Sequence, residues 1–203
     1  MMSYSSNIMT QRSTPKKVAR PYKIPTPQNL ANVALYYLQR FAASEASLRR
    51  VLENRLRRAA MRIPEFAHDG ALQNKLRFEI ENIIAQHKKT GVINDVQFAE
   101  TKVHSLRRQG RSRRMIEQKL AAKGLKRSVI VTALEEHAED TPPEEVEFKA
   151  ALALAKKRRF GPFRQKPADE DRRRKEFAAL ARAGFSSAIA KRVLQCEAPE
   201  DWE

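Results

Sequence analysis

Residues 103–120 read VHSLRRQGRSRRMIEQKL, and the spacing within them decides the fold. Val103 and Leu106 stand about one helical turn apart, Gly110 and Ser112 follow, and Ile116 and Leu120 come four and eight places after the serine. Apolar residues at that spacing fall on one face of a helix. A serine placed just before such a face is favoured as an N-cap, because its hydroxyl accepts a hydrogen bond from an otherwise unpaired amide of the first turn. A glycine two places earlier suits a chain that leaves the preceding helix in a left-handed turn. The stretch therefore predicts a helix, a tight turn and a second helix.

The same signature occurs twice more. Leu35, Leu38, Arg40, Ala42, Ser44, Leu48 and Leu52 precede it, and Phe177, Leu180, Arg182, Gly184, Ser186, Ala190 and Leu194 follow it, matching Val103, Leu106, Arg108, Gly110, Ser112, Ile116 and Leu120 in order and spacing. Period-two runs of Val, Ile and Thr are nearly absent, so the reading is all-α. Three copies predict a tandem repeat of three small three-helix modules, helix-turn-helix-like, in an elongated, curved array. Chains of that kind usually offer an extended surface to a long partner and seldom a single catalytic pocket. Ala42 stands where the siblings carry glycine, so the first turn should differ. At Ala190 the apolar pattern weakens, and Ile189 is expected to supply the contact.

The middle copy is written most fully. Asn94 can cap its first helix with Gln97 as a capping-box partner, and Ile93 can staple onto Phe98. Gly124 after Lys123, with Leu125 set to touch Leu120, predicts a Schellman ending for the second helix. A further helix over 128–137 completes the module. An acidic, proline-containing joint follows, from Glu135 through Pro142 and Pro143 to Glu145, and a helix over 144–158 precedes the third copy. The expected division is 1–28 as a flexible basic tail, 29–91, 92–140 and 141–203 as modules. The tail assignment rests on five Lys or Arg without an acid, on Pro15, Pro21, Pro25 and Pro27, and on few apolar residues.

The chain has 203 residues, with 40 Lys and Arg against 24 Asp and Glu for a formal charge of +16. Such an excess points to nucleic acid, an anionic surface or an acidic protein partner, and says nothing about fold. No stretch approaches the roughly 20 apolar residues of a membrane span, and residues 1–23 lack the apolar core of a signal peptide. Cys196 is the single cysteine, which fits a reducing cytoplasm. A soluble, cytoplasmic protein without a membrane partner is the expectation.

The densest charge lies around the middle turn: Arg107, Arg108, Arg111, Arg113, Arg114, Lys119, Lys123, Lys126 and Arg127, opposed by Glu117. Arginine forks and exposed amides at a helix N-terminus both suit phosphate oxygens, so this cluster is the first candidate for binding. A second set, Lys156, Lys157, Arg158, Arg159, Arg164, Lys166, Arg172, Arg173, Arg174 and Lys175, fits contact and plain solvation equally well. Arg40, Arg108 and Arg182 are expected to bond helix-terminal carbonyls and cover apolar surface with their stems. Tyr36, Tyr37 and Phe41 have the spacing of core residues, with base stacking as the alternative. The four histidines lack zinc spacing, and neither a glycine-rich phosphate loop nor a nucleophile motif is present. A non-enzymatic protein without metal or cofactor follows. The tight helix pairs also leave open a DNA-binding helix-turn-helix transcription regulator.

Three segments resemble the RecX family of regulatory proteins: ALYYLQRFAASEASLRRVL at 34–52, GVINDVQFAETKVHSLRRQGRSRRMIEQKLAAKGL at 91–125, and FAALARAGFSSAIAKRVL at 177–194. With the helices between them they cover about 30–200. The resemblance implies tandem three-helix modules and a regulator, expected as a monomer, that acts on the RecA recombinase. It implies binding along the groove of the RecA filament on single-stranded DNA and reduced ATPase, strand-exchange and co-protease activity. Roles in homologous recombination, DNA repair and the SOS response follow with it, as does binding to single-stranded and duplex DNA. Ala42, Ala190 and the basic tail depart from the family pattern.

Overall fold

The computed structural model describes residues 22–197. Among them it contains α1 (Pro27–Leu38), α2 (Glu45–Ala60), α3 (Pro64–His68), α4 (Gly70–Lys89), α5 (Asp95–Arg108), α6 (Arg113–Ala122), α7 (Arg127–Ala138), α8 (Pro143–Arg158), a short 3-10 turn at Gly161–Phe163, α9 (Glu170–Arg182) and α10 (Ser187–Gln195). None of these helices is long and apolar enough to cross a membrane. Much of the segment read as a tail lies outside the described residues. Inside them Tyr22 and Pro25 are packed while their described neighbours are exposed: Arg55 donates to the Tyr22 hydroxyl at 2.8 Å, Arg55 and Arg62 both lie over the Tyr22 ring, and Thr26 caps α1.

The three predicted serines all cap. Ser44, Ser112 and Ser186 accept from the amides of Ser47, Met115 and Ile189, and Asn94 accepts from Val96 and Gln97. Gly110, Gly124 and Gly184 all take positive φ. Each sits in a Schellman pair of bonds; for α6 these are Gly124 to the Ala121 carbonyl and Leu125 to the Leu120 carbonyl. The first turn does differ. α1 ends at Leu38, Ala42 is not left-handed, and the chain runs extended into Ser44.

The buried apolar residues form three clusters. Leu30, Leu48, Leu52, Phe66, Leu76 and Ile80 lie in the first; Phe98, Val103, Ile116, Leu120, Ile130 and Leu134 in the second; Leu152, Leu154, Phe160, Leu180, Phe185 and Val193 in the third. Fully burying one such side chain is worth about 1.5–3 kcal/mol, and clusters this small leave each part of the chain dependent on its neighbours. The region before residue 91 holds one more helix than expected: Pro64 starts the short α3, whose Phe66 plugs the first cluster, and Asp69 then caps the long α4. Ile93 joins the first cluster while Phe98 joins the second, so the anticipated staple gives way to a residue that ties α4 down. Ile189 and Ala190 are both buried.

The repeat's first apolar position is not uniformly scaffold. Val103 is fully buried and Phe177 half-buried, whereas Leu35 is 52% exposed. Tyr36 and Phe41 are also exposed, at 58% and 56%, which overturns their reading as core. Tyr37, the third of these aromatics, is half-buried and packs with Leu38 on the first cluster.

Candidate functional site

Three helices, α2, α6 and α9, are joined end to end by their caps. The Ser44 hydroxyl donates to the carbonyl of Lys123, the C-cap of α6, at 2.8 Å; the Ser112 hydroxyl donates to the carbonyl of Ala183, the C-cap of α9, at 2.7 Å. Each serine thus uses both hydroxyl capacities, accepting from its own helix and donating to the next. Electronegative helix C-termini meet electropositive N-termini, which is favourable. The glycines permit the approach. A Cβ on Gly124 would lie 2.3 Å from the Ala46 Cβ, and one on Gly184 would lie 2.6 Å from the Ser112 hydroxyl. Gly110 is pressed onto α8 in the same way: a Cβ there would lie 2.6 Å from the Leu154 amide nitrogen.

A carboxylate completes each junction. Asp95 accepts from the Glu45 amide at 2.8 Å, and Glu147 accepts from the Arg113 amide at 2.9 Å. At the first junction Arg50 also donates to the Ala122 carbonyl, while Lys88 and Arg49 hold the Glu45 carboxyl below its usual range. Arg49 reaches on to Glu81 through two bonds of 2.7 Å. At the second junction Glu147 also takes the Arg107 guanidinium at 2.5 Å, and Arg107 donates to the Arg111 carbonyl. His137 lies nearby, edge-on to His104 with ring centres 5.6 Å apart. Burial, and then the Arg107 and His104 charges, push its imidazole below the ordinary value.

This geometry sorts the candidate binding residues of the two basic sets, seven from the first, Arg107 to Lys123, and Arg172, Arg173 and Arg174 from the second. Arg107, 9% exposed, faces inward at the junction, and Arg111 is half-buried with its Nε out of solvent. Arg113 is held by Glu117 at 2.9 Å, Arg172 by Glu176 at 3.4 Å and Arg174 by Glu170 at 3.4 Å. The side chains of Arg108, Arg114, Lys119, Lys123 and Arg173 are exposed and have no partner among the described residues. The carbonyl bonds expected of Arg40, Arg108 and Arg182 do not form: Arg40 lies 4.4 Å over the Tyr36 ring, and the other two are exposed. Arg107, one place earlier, bonds instead to the Arg111 carbonyl in the turn between α5 and α6.

Grooves lie beside both basic sets. One of about 440 Å³ is lined by Arg114, Gln118, Ala121, Arg127 and Ile130, between α6 and α7. Another of about 550 Å³ is lined by Arg164, Arg173, Arg174, Phe177, Lys191 and Leu194, between α9 and α10. Lys191 was invisible as a site residue in the sequence, because only the packing of α10 on α9 brings it to Arg173. Glu176, at the far side of α9, is buried; burial works to raise its carboxyl, but Arg164 and the Gly161 amide outweigh that and hold it low, which fixes the basic loop. Among the described residues no three His, Cys, Asp or Glu side chains converge as a metal site.

Comparison with known proteins agrees with this architecture. Residues 94–134, which span α5 to α7, match the family model described as the second three-helix domain of RecX. The regulatory protein RecX of Myxococcus xanthus is 41% identical over 176 residues, covering 86% of this chain and 88% of that protein. The chain belongs to the RecX family. The regulatory protein RecX of Agrobacterium fabrum is 36% identical over 163 residues, 80% of each chain. The cap junctions at Ser44 and Ser112 are thus features of a RecX chain, and the unpaired cations stand on the RecX scaffold at α5, α6 and α9.

Proposed function

We propose that this chain regulates the RecA recombinase by binding along the groove of its filament on single-stranded DNA. By occupying the groove it lowers ATP hydrolysis, strand exchange and co-protease activity, without catalysis of its own. Membership of the RecX family, at 41% identity across most of both chains, carries the reading. The three buried clusters support three modules, 29–91, 92–140 and 141–203, laid along the filament by a cytoplasmic monomer. Arg108, Arg114, Lys119, Lys123 and Arg173 meet DNA phosphates or acidic filament surface, since their charges are not spent on any of the described residues. Arg107 holds α5 to α8 through Glu147, while Arg113, Arg172 and Arg174 spend their charge on carboxylates of their own helices and half-buried Arg111 stays at the turn.

A duplex-reading transcription regulator fits less well. A recognition helix touches base edges with its N-terminal residues, and the N-termini of α2 and α6 are covered by Asp95 and by Glu147 with Ala183, which leaves α10, behind exposed Ser186, as the one second helix of a repeat that is open to a duplex among the described residues. The test is RecA ATPase on single-stranded DNA with the full chain titrated in. Progressive inhibition is expected, weakened by Arg114→Glu with Lys119→Glu. Unchanged hydrolysis at protein well above the number of filament sites would overturn the proposal.

A further inference from the structure

The groove between α9 and α10 carries an aromatic ring in its lining, which the groove between α6 and α7 lacks. Half-buried Phe177 and Leu194 form its apolar wall, and Arg173 and Lys191 stand on its rim with no partner among the described residues. Glu170 is the single acid lining it, and Arg174 already engages that carboxylate at 3.4 Å. A volume of about 550 Å³ admits a group larger than a carboxylate or a phosphate alone. Phe177 occupies the repeat position filled by fully buried Val103 in the middle copy; here one part of the ring packs on the third cluster and the other part lines the groove.

We propose that this groove takes one unstacked nucleotide of single-stranded DNA, its base against Phe177 and its flanking phosphates on Arg173 and Lys191. A flat apolar ligand with negative charge on both sides matches a phenyl wall between free cations, and stacking of this kind is indifferent to base identity. The inference deepens the proposed function by giving the third module a contact with the strand itself. It places no demand on RecA, so it can fail while the filament reading stands.

The experiment uses the full chain without RecA and fluorescence anisotropy on two labelled strands of equal length, oligo-dT and an abasic strand with the same phosphates. Oligo-dT is expected to bind about tenfold tighter than the abasic strand. Phe177→Leu should remove most of that difference while leaving the circular-dichroism melt in place, and Phe177→Trp should restore it. Arg173→Gln with Lys191→Gln should weaken both strands alike and lower the log-log salt slope by about 0.7 for each phosphate that is no longer neutralised. Equal affinities for the two strands, or a difference that survives Phe177→Leu, would overturn the proposal. So would groove variants that bind oligo-dT normally yet inhibit RecA less, because the groove would then hold an acidic side chain of the filament.

Discussion

The junction at α2 and the junction at α6 share a plan and differ in what the carboxylate does. Asp95 accepts one backbone amide at the edge of a solvent-screened network of Arg49, Glu45, Glu81 and Lys88. Glu147 accepts the equivalent amide and also neutralises Arg107, which is nearly out of solvent. Exposed ion pairs contribute little because water competes for both partners, whereas removing one member of a buried pair strands the other charge. The second junction is therefore the brittle one. Glu147→Ala should cost about 3 kcal/mol, read from the urea midpoint of the full chain, while Asp95→Ala should cost about 1 kcal/mol, the worth of one hydrogen bond. Comparable costs at both sites would show that the buried pair is not the difference. Replacing Arg107 and Glu147 together by Met should recover most of the stability, since an apolar pair of similar volume strands no charge.

The cap serines offer the next contrast. Ser44 and Ser112 must donate as well as accept, which a carboxylate cannot do, whereas Ser186 caps α10, is exposed and has no helix docked on it among the described residues. Ser112→Asp should cost about 2 kcal/mol, because the Ala183 carbonyl loses its donor and meets a negative charge. Ser44→Asp should behave alike at Lys123. Ser186→Asp should be neutral or slightly stabilising, aspartate being as good an N-cap as serine. A destabilisation at 186 as large as that at 112 would break the argument that the hydroxyl's donated bond is what the junctions require.

The glycines separate strain from approach. Gly91 has φ 71° and open space around it, so Gly91→Ala measures the left-handed penalty alone, about 1 kcal/mol. Gly124→Ala adds a clash with the Ala46 Cβ at 2.3 Å and should cost at least twice as much. Combining it with Ala46→Gly should return the excess and leave the strain, less about 1 kcal/mol for a glycine in a helix. If the double variant is no better than the sum of the singles, the modules do not meet at this point.

How much of this could be read beforehand follows from range. The caps at Ser44, Asn94, Ser112 and Ser186, the left-handed glycines and the Schellman ending of α6 are decided within five or six residues, and the sequence carries them. What those same residues do to other modules was not legible. Ser44 reads as a cap, and nothing near it announces a bond to Lys123, 79 residues away. Likewise Arg107 and Arg108 are indistinguishable in the run LRRQG, yet the helical phase turns one to Glu147 and leaves the other in water. The charge cluster reads as uniform because composition counts cations, whereas the fold pairs some of them and leaves others exposed.

The smallest expected effect probes the same brittle junction through pH. His137 is held below its ordinary pKa by burial and by Arg107 and His104, so between its folded value and the unfolded value near 6.5 the unfolded chain binds more protons. Stability from this group is present above about pH 6.5 and is lost as pH falls through the folded value. The urea midpoint should therefore decline between about pH 7.5 and 5.5, and His137→Gln should flatten that decline. The groups facing the ring set the size of the effect: Arg107 opposes its protonation while Glu139 favours it, and a half-buried imidazole is partly screened. Glu147→Ala leaves Arg107 unneutralised beside the ring, so in that variant the decline should steepen. An unchanged slope would mean that the Arg107 charge does not reach His137, and that the two sides of the junction act independently.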